Sequence, residues 1–531
     1  MCRPAALVAG VRHRFTQGES RAVSVTFVSL AAALAAIFNL LIQSLLAARF
    51  GAGKALDAYF VALVVPTVLS DVLIFSLVNV FLPMFVEQRV REGERPAWRI
   101  VSTPINVLML VLIVICAVGT LAAGAIIHVT APGLDEDTAH LAAQLLRMLF
   151  PFVVVSGVFA VLTSVLNVYN RFSFSSVGRT LRWVVTLVGV WFLTARWGVF
   201  GAAGAVLLGL VVASAVLWAG TPEKRYYSAV LQLDQPVQRR ILGLWGTLLL
   251  ASSLYKLYPV IDRAIASQLG IGSISYLSYS TSFLPLFSGL FSSSIATVFF
   301  PGVARSVAEH DTGGLLEQMS LSIRMSGFIM IPSIVGLIAL RLPITRLLLE
   351  RGAFTAQDSR ETATILLFTA GALFAPTIAD VTSKVLFSMK ATGFLLVVSA
   401  VFVPLYAVTC ALLSRLWGVR GITLTGSIWA NMAWIFHLVY IGKRLGRLPL
   451  RRVLIAFGRI LLCATLMGLS THYVYQSARA AAPTGGMSVE ALLIGTSILM
   501  GMAVFIALAI VLRVEEVALI KTRVAAWIWR R

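Results

Sequence analysis

The sequence predicts an all-α polytopic membrane protein of about fourteen transmembrane helices, arranged as two pseudo-symmetric six-helix lobes followed by two C-terminal helices. Three observations predict it. Of 531 residues, 59% are hydrophobic and only 12% charged, with mean hydropathy +0.91; a soluble domain carries about 45–50% apolar and about 25% charged residues. The apolar residues fall in runs of the roughly 20 residues that cross a bilayer. The charges collect between those runs. Disorder, a soluble secreted enzyme and a soluble nucleic-acid-binding domain are excluded.

The first run, 22–48, follows a basic flank of Arg3, Arg12, Arg14 and Arg21. It exceeds a signal-peptide core of about 7–15 residues, so it is expected to remain as a helix. Runs at 59–86, 100–128, 139–168, 179–195 and 199–220 complete an N-terminal lobe, 1–220. Only Arg196-Trp197-Gly198 separates the fifth from the sixth. Residues 221–240 form the longest connection and read as a linker. Runs at 241–268, 275–303, 320–345, 361–388, 392–414 and 419–441 make a C-terminal lobe, 241–442. Runs at 453–476 and 488–512, with a basic aromatic tail suited to a membrane interface, occupy 443–531.

The net charge of +21 arises from 43 Lys+Arg against 22 Asp+Glu. In a soluble protein it would point to nucleic acid. Here the rule that cytoplasmic loops collect Lys and Arg accounts for it. With the N-terminus inside, 28 of these cations fall in cytoplasmic segments and ten outside, with the acidic Asp135-Glu136-Asp137 also outside. Both termini are therefore expected in the cytoplasm of a bacterial inner-membrane protein, with membrane lipids around it and no nucleic-acid partner. Cys2, Cys116, Cys410 and Cys463 are far apart, and the histidines lack metal-ligand spacing. No disulfide, metal or other cofactor is implied.

A weak repeat supports two lobes. Phe50-Gly51-Ala52-Gly53 precedes Pro66 and Pro83, and Leu269-Gly270-Ile271-Gly272 precedes Pro285 and Pro301 at nearly the same spacings. Repeats of this kind place a transporter's substrate between the halves.

Residues 47–66, AARFGAGKALDAYFVALVVP, resemble the first outer loop and second helix of the MurJ/MviN family. Four further stretches agree in the same order: APG at 131–133, NVYNRFSFSS at 167–176, IDRAIASQLGIGSISYLSYS at 261–280 and LPITRLLLERGAFTAQDS at 342–359. The resemblance covers the first twelve helices. It implies a transporter of the MOP superfamily that flips lipid II, the undecaprenyl-diphosphate-linked peptidoglycan precursor. The chain also departs from that pattern. The family's first-helix Ser-Arg-x-x-Gly-x-x-Arg-Asp motif falls on Ala35, Ala36, Asn39, Ile42 and Gln43, without either arginine. The family's arginine-bearing turn in the second helix falls on Ser70-Asp71, and Ser280 stands in the segment written Tyr-Ala-x-Arg in the eighth. The resemblance implies that those arginines hold the substrate diphosphate. Asp57 matches the family aspartate after the Gly-Ala-Gly turn and is retained as a site candidate.

Ionisable groups within apolar spans cost at least about 2.5–3.5 kcal/mol each, so they face a cavity or one another. The candidates are Asp71, Arg147, Lys256, Asp262, Arg263, Asp380, Lys384 and Arg459. A diphosphate needs cationic donors. Lys256 and Arg263, two helical turns apart, would share one helix face. Alternatively Asp262 neutralises Arg263, or Arg263 snorkels. Asp71 is expected to pair with Lys256 or Arg147 across a cavity, or to carry a coupling proton. Arg147 could face the cavity or snorkel. Asp380 and Lys384, spaced i,i+4, suit an internal pair, and Arg459 an interfacial anchor.

Gly51-Ala52-Gly53-Lys54 lacks the first glycine of a P-loop and has Ala55 in place of its Ser/Thr, so no ATP use is implied. The expected function is a flippase carrying a polyprenyl-diphosphate-linked saccharide, lipid II or a polysaccharide repeat unit, by alternating access. The alternatives are a MOP-superfamily efflux transporter for small cations or drugs, which would favour an acidic cavity, and a non-transporting family member assisting glycan synthesis.

Overall fold

The computed structural model describes residues 21–231, 253–287, 311–389, 391–446, 449–482 and 486–517, with isolated positions 243, 245, 246, 249, 302, 306 and 309. Regular structure among these residues is helical throughout. The first sequence half supplies α1 (Arg21–Phe50), α2 (Lys54–Glu92), α3 (Glu94–Leu121), α4 (Ala123–Thr130), α5 (Glu136–Leu149), α6 (Pro151–Val168) and α7 (Phe172–Gly220). After the turn Leu254–Leu257 come α8 (Tyr258–Ala266), α9 (Ser273–Thr281) and α10 (Leu284–Phe287). Then follow α11 (Thr312–Ala339), α12 (Arg341–Leu349), α13 (Ala356–Thr369), α14 (Ala375–Ser388), α15 (Thr392–Trp417), α16 (Val419–Leu445), α17 (Leu450–Ala481) and α18 (Met487–Val511).

Eleven segments among the described residues are long and apolar enough to span a bilayer. One of them, α7, is two spans joined at Gly198, whose φ of 54° and ψ of −135° interrupt the helix. The seventh and eighth predicted runs lie partly outside the described residues. The chain is thus a multi-pass, all-helical membrane protein, in agreement with its hydropathy.

The break at Gly198 recurs. Trp197-Gly198-Val199-Phe200-Gly201 and Trp417-Gly418-Val419-Arg420-Gly421 form the same hairpin, with Gly418 at φ 59° and ψ −138°. A Cβ on Gly201 would lie 2.3 Å from the Leu193 carbonyl oxygen, and one on Gly421 would lie 2.1 Å from that of Leu413. Both helix pairs therefore close on a glycine that no other residue could replace without displacing backbone. Asp135 and Thr355, separated by the same interval as Gly198 and Gly418, cap two helices of 14 residues, α5 and α13. This hairpin and this cap extend the repeat read from the glycine and proline spacing.

By contact the chain forms two compact units. One comprises Met1–Leu46, Ala52–Ser275 and Leu395–Ala407; the other comprises Ala47–Gly51, Tyr276–Phe394 and Val408–Arg531. In the first, α6 and the second part of α7 pack through Phe152, Phe159, Leu162, Leu166, Leu210, Ala213 and Leu217. Its linker, described to residue 231, makes a short 3₁₀ turn at Lys224–Tyr226 and is then fastened to a polar notch on α3. Asn106 Nδ2 donates to the Ser228 and Val230 carbonyls at 2.9 and 3.0 Å, and Ser228 N donates to Ser102 Oγ at 3.2 Å. In the second unit, α17 and α18 pack on α11 through Ile460, Cys463, Met467, Phe505 and Ala509, with Phe328 and Ile331 against them.

Candidate functional site

The first unit contains a cavity of about 500 Å³. Thr67, Ser70, Asp71, Ile74 and Val78 line it from α2, at the three- and four-residue spacing that keeps side chains on one helix face. From α6 come Phe152, Ser156, Phe159, Ala160, Thr163, Ser164 and Asn167, again one face. Arg182 enters from α7 and Lys256 from the turn before α8.

Four of the five lining hydroxyls are already engaged as donors. Ser156 Oγ donates to Ser70 Oγ at 2.8 Å, joining α6 to α2. Thr163 and Ser164 each donate to a carbonyl one turn back at 2.8 Å, and Thr67 does so at 2.9 Å. A hydroxyl whose proton is so used offers lone pairs to a ligand. The charges stand beside this acceptor wall. Lys256 Nζ lies 2.9 Å from Asp71 Oδ2. Arg182 packs its guanidinium 5.1 Å from the Trp183 ring and 5.7 Å from that of Phe152, within electrostatic reach of Asp71. Two cations thus share the described lining with one carboxylate.

The structure brings Lys256 and Asp71 together and leaves Asp57, Arg147, Asp262 and Arg263 out of the cavity lining. Lys256 and Arg263 do not continue one helical face. Lys256 sits in a 3₁₀ turn and α8 starts afresh with Pro259 in its first turn, so the phase between them is broken. Arg263 and Asp262 are absent from the cavity lining. Asp262 accepts a hydrogen bond from Tyr406 Oη at 2.5 Å, and the Tyr406 ring stacks on Tyr258 with centroids 4.3 Å apart. Arg147 stands exposed on α5, whose Ala142, Ala143, Leu145 and Leu146 turn inward, and it too is outside the lining. The side chains of Asp380 and Lys384 lie outside the described residues. Arg459 is exposed and donates to the Arg513 carbonyl at 3.4 Å.

Asp57 is buried, and its carboxylate accepts Gly272 N at 2.6 Å, Ser275 N at 2.8 Å and Ser275 Oγ at 2.7 Å. It therefore holds the Gly270-Ile271-Gly272 turn and the start of α9, and does not face the cavity. Its neighbour Lys54 pairs with Asp135 at 3.1 Å, which places the discounted P-loop-like segment in a structural role. Asp57→Ala leaves two buried backbone donors without acceptors, and each costs about 1–3 kcal/mol. The expected result is a sharp drop in the amount of folded protein recovered in detergent, with Asp57→Asn intermediate. Wild-type yield and melting temperature for Asp57→Ala would refute the assignment.

Arg182 is the cavity cation that hydropathy missed. It falls four residues into the fifth predicted run and reads as a loop-end charge, yet α7 begins at Phe172 and carries it well inside the helix. The sequence signal was the length of helix-forming chain before it. None of Ala35, Ala36, Asn39, Ile42 and Gln43, where the family arginines would stand, lines this cavity.

Solved structures share this architecture. A lipid II flippase MurJ in an inward closed conformation aligns with TM-score 0.73 and 23% identity, covering 92% of this chain and 98% of that one. An inward-facing MATE-family multidrug transporter of the MOP superfamily aligns with TM-score 0.62 and 13% identity, covering 80% and 98%. The chain accordingly has the class of fold that these two solved structures share. Within that class, residues 46–487 match the family described as lipid II flippase MurJ, and the chain belongs to that family. A probable lipid II flippase MurJ of Thermotoga maritima is 29% identical over 405 residues, 75% of this chain and 81% of its own length. The lipid II flippase MurJ of Burkholderia cenocepacia is 25% identical over 333 residues, 61% of this chain and 64% of its own.

Proposed function

We propose that this protein is a flippase that moves a polyprenyl-diphosphate-linked saccharide from the inner to the outer leaflet of a bacterial inner membrane by alternating access. One observation carries this reading. A cavity within a family of lipid II flippases presents Lys256 and Arg182 beside a wall of hydroxyl acceptors. Lys binds phosphate as a point charge and Arg can grip it bidentately, while the hydroxyls suit saccharide donors. The lipid tail stays in the bilayer. Both termini are cytoplasmic in this reading, on the strength of the Lys and Arg distribution. The two six-helix lobes act as the moving bodies, with the last two helices appended. The drive is membrane potential, about 2.3 kcal/mol per charge per 100 mV, or an ion gradient.

Lipid II is the first substrate to test because of the family. A polysaccharide repeat unit is the second, because the first-helix arginines of the family pattern are absent. An efflux role for small cations fits poorly with two cations against one carboxylate. The test is rescue of a strain depleted of its lipid II flippase, with membrane expression verified. Growth supports lipid II. Failure to grow, combined with transport of another polyprenyl-diphosphate saccharide in proteoliposomes, moves the substrate to a repeat unit. Failure with both refutes the proposal.

A further inference from the structure

We propose that Asp71 is a built-in competitor for the substrate's phosphate, so that loading the cavity is an exchange of anions on Lys256; the proposal rests on the lipid-diphosphate reading above. Asp71 lies on the cavity face of α2, one residue from Ser70, and its carboxylate contacts Lys256 Nζ at 2.9 Å. The pair is reachable. The Asp71 side chain is 61% exposed and that of Lys256 32%, so an incoming phosphate meets neither group behind a packed layer. An ionisable group within a span is costly and persists where it has work with a partner or a pathway. A carboxylate is also the wrong charge for a diphosphate pocket unless it serves the empty state.

The exchange follows from charge. Without substrate, Asp71 neutralises Lys256. A phosphate oxygen arriving at Lys256 displaces the carboxylate, which then faces both the remaining phosphate charge and Arg182 on the neighbouring helix. Asp71 therefore weakens the bound state and favours release. A carrier needs binding strong enough to load and weak enough to unload, as permeation sites do, and Lys256 and Arg182 on a diphosphate without Asp71 beside them would favour loading. If Asp71 only oriented Lys256, its removal would weaken binding. As a competitor, its removal must strengthen binding.

The test uses the full chain, purified in detergent, with farnesyl diphosphate as the probe. Asp71→Asn, and Asp71→Ser as a second variant, are expected to bind about tenfold more tightly, with correspondingly slower dissociation. Lys256→Gln binds more weakly, and Asp71→Asn added to Lys256→Gln brings no gain, because the exchange partner is gone. A gain confined to the Lys256 background supports the proposal. Binding by the wild type with no gain in either Asp71 variant, or a gain that persists beside Lys256→Gln, overturns it and leaves the lipid-diphosphate reading standing. Absence of binding by wild type and variants alike removes both.

Discussion

Lys256→Ala lowers translocation of the lipid-linked headgroup by about ten- to a hundredfold, the worth of one hydrogen bond to a charged group, about 1.5–3 kcal/mol. The protein itself should remain. Lys256 is not packed into a core, so truncating it opens no sealed void, and Asp71 is open enough to be hydrated once its partner is gone. Lys256→Arg keeps the charge and should retain most of the rate, although a guanidinium does not reproduce an ammonium's geometry. The measurement is headgroup transport in proteoliposomes, normalised to reconstituted protein. Wild-type rates for Lys256→Ala would remove this residue from the site and leave Arg182 as the cation of the described lining.

Arg324→Ala should destabilise the second unit by about 3–5 kcal/mol, as expected when one partner of a buried ion pair is removed. Arg324 lies on α11 with 6% of its side chain exposed, and Glu516, beyond α18, is 1% exposed. The guanidinium nitrogen is 3.0 Å from Glu516 Oε1 and 2.8 Å from Glu515 Oε2, and Arg452 joins Glu515 at 3.1 Å. Without Arg324, the buried Glu516 carboxylate loses its counter-ion. Arg324→Ala combined with Glu516→Gln should recover part of the loss. Melting of the purified variants in detergent checks this, and additive losses in the double variant would contradict it.

The same cluster sets a pH dependence. The hydrogen bond from Arg324, and then the contacts from Arg452, hold the Glu515 carboxyl below the usual carboxylate range. A carboxylate depressed on folding adds stability above its unfolded value and loses it as pH falls through the folded one. Wild-type melting temperature should therefore decline on acidification through and below the ordinary carboxylate range. The decline is modest, because Glu515 is half exposed. Arg324→Ala should show less of it.

Membrane character, the positions of the described spans and family membership were legible in the residues. A spanning helix satisfies its backbone hydrogen bonds within itself, so apolar length alone announces it. The hairpin at Gly198 was likewise visible as a polar gap, because a glycine at positive φ is a local requirement. Side-chain partners were another matter. Asp57, a site candidate by resemblance, proves to hold the Gly272 turn, because its acceptors meet donors far along the chain. Lys256 and Arg263 separate because a short 3₁₀ turn resets helical phase, which a two-turn spacing rule cannot register. Arg182 joins the cavity because packing carries α7 past α6, and Lys256 reaches Asp71 because the fold returns that turn to α2. Composition and periodicity act within one segment at a time. A charge in a membrane protein finds its counter-ion through tertiary packing, so the tertiary structure decided which charges make a site.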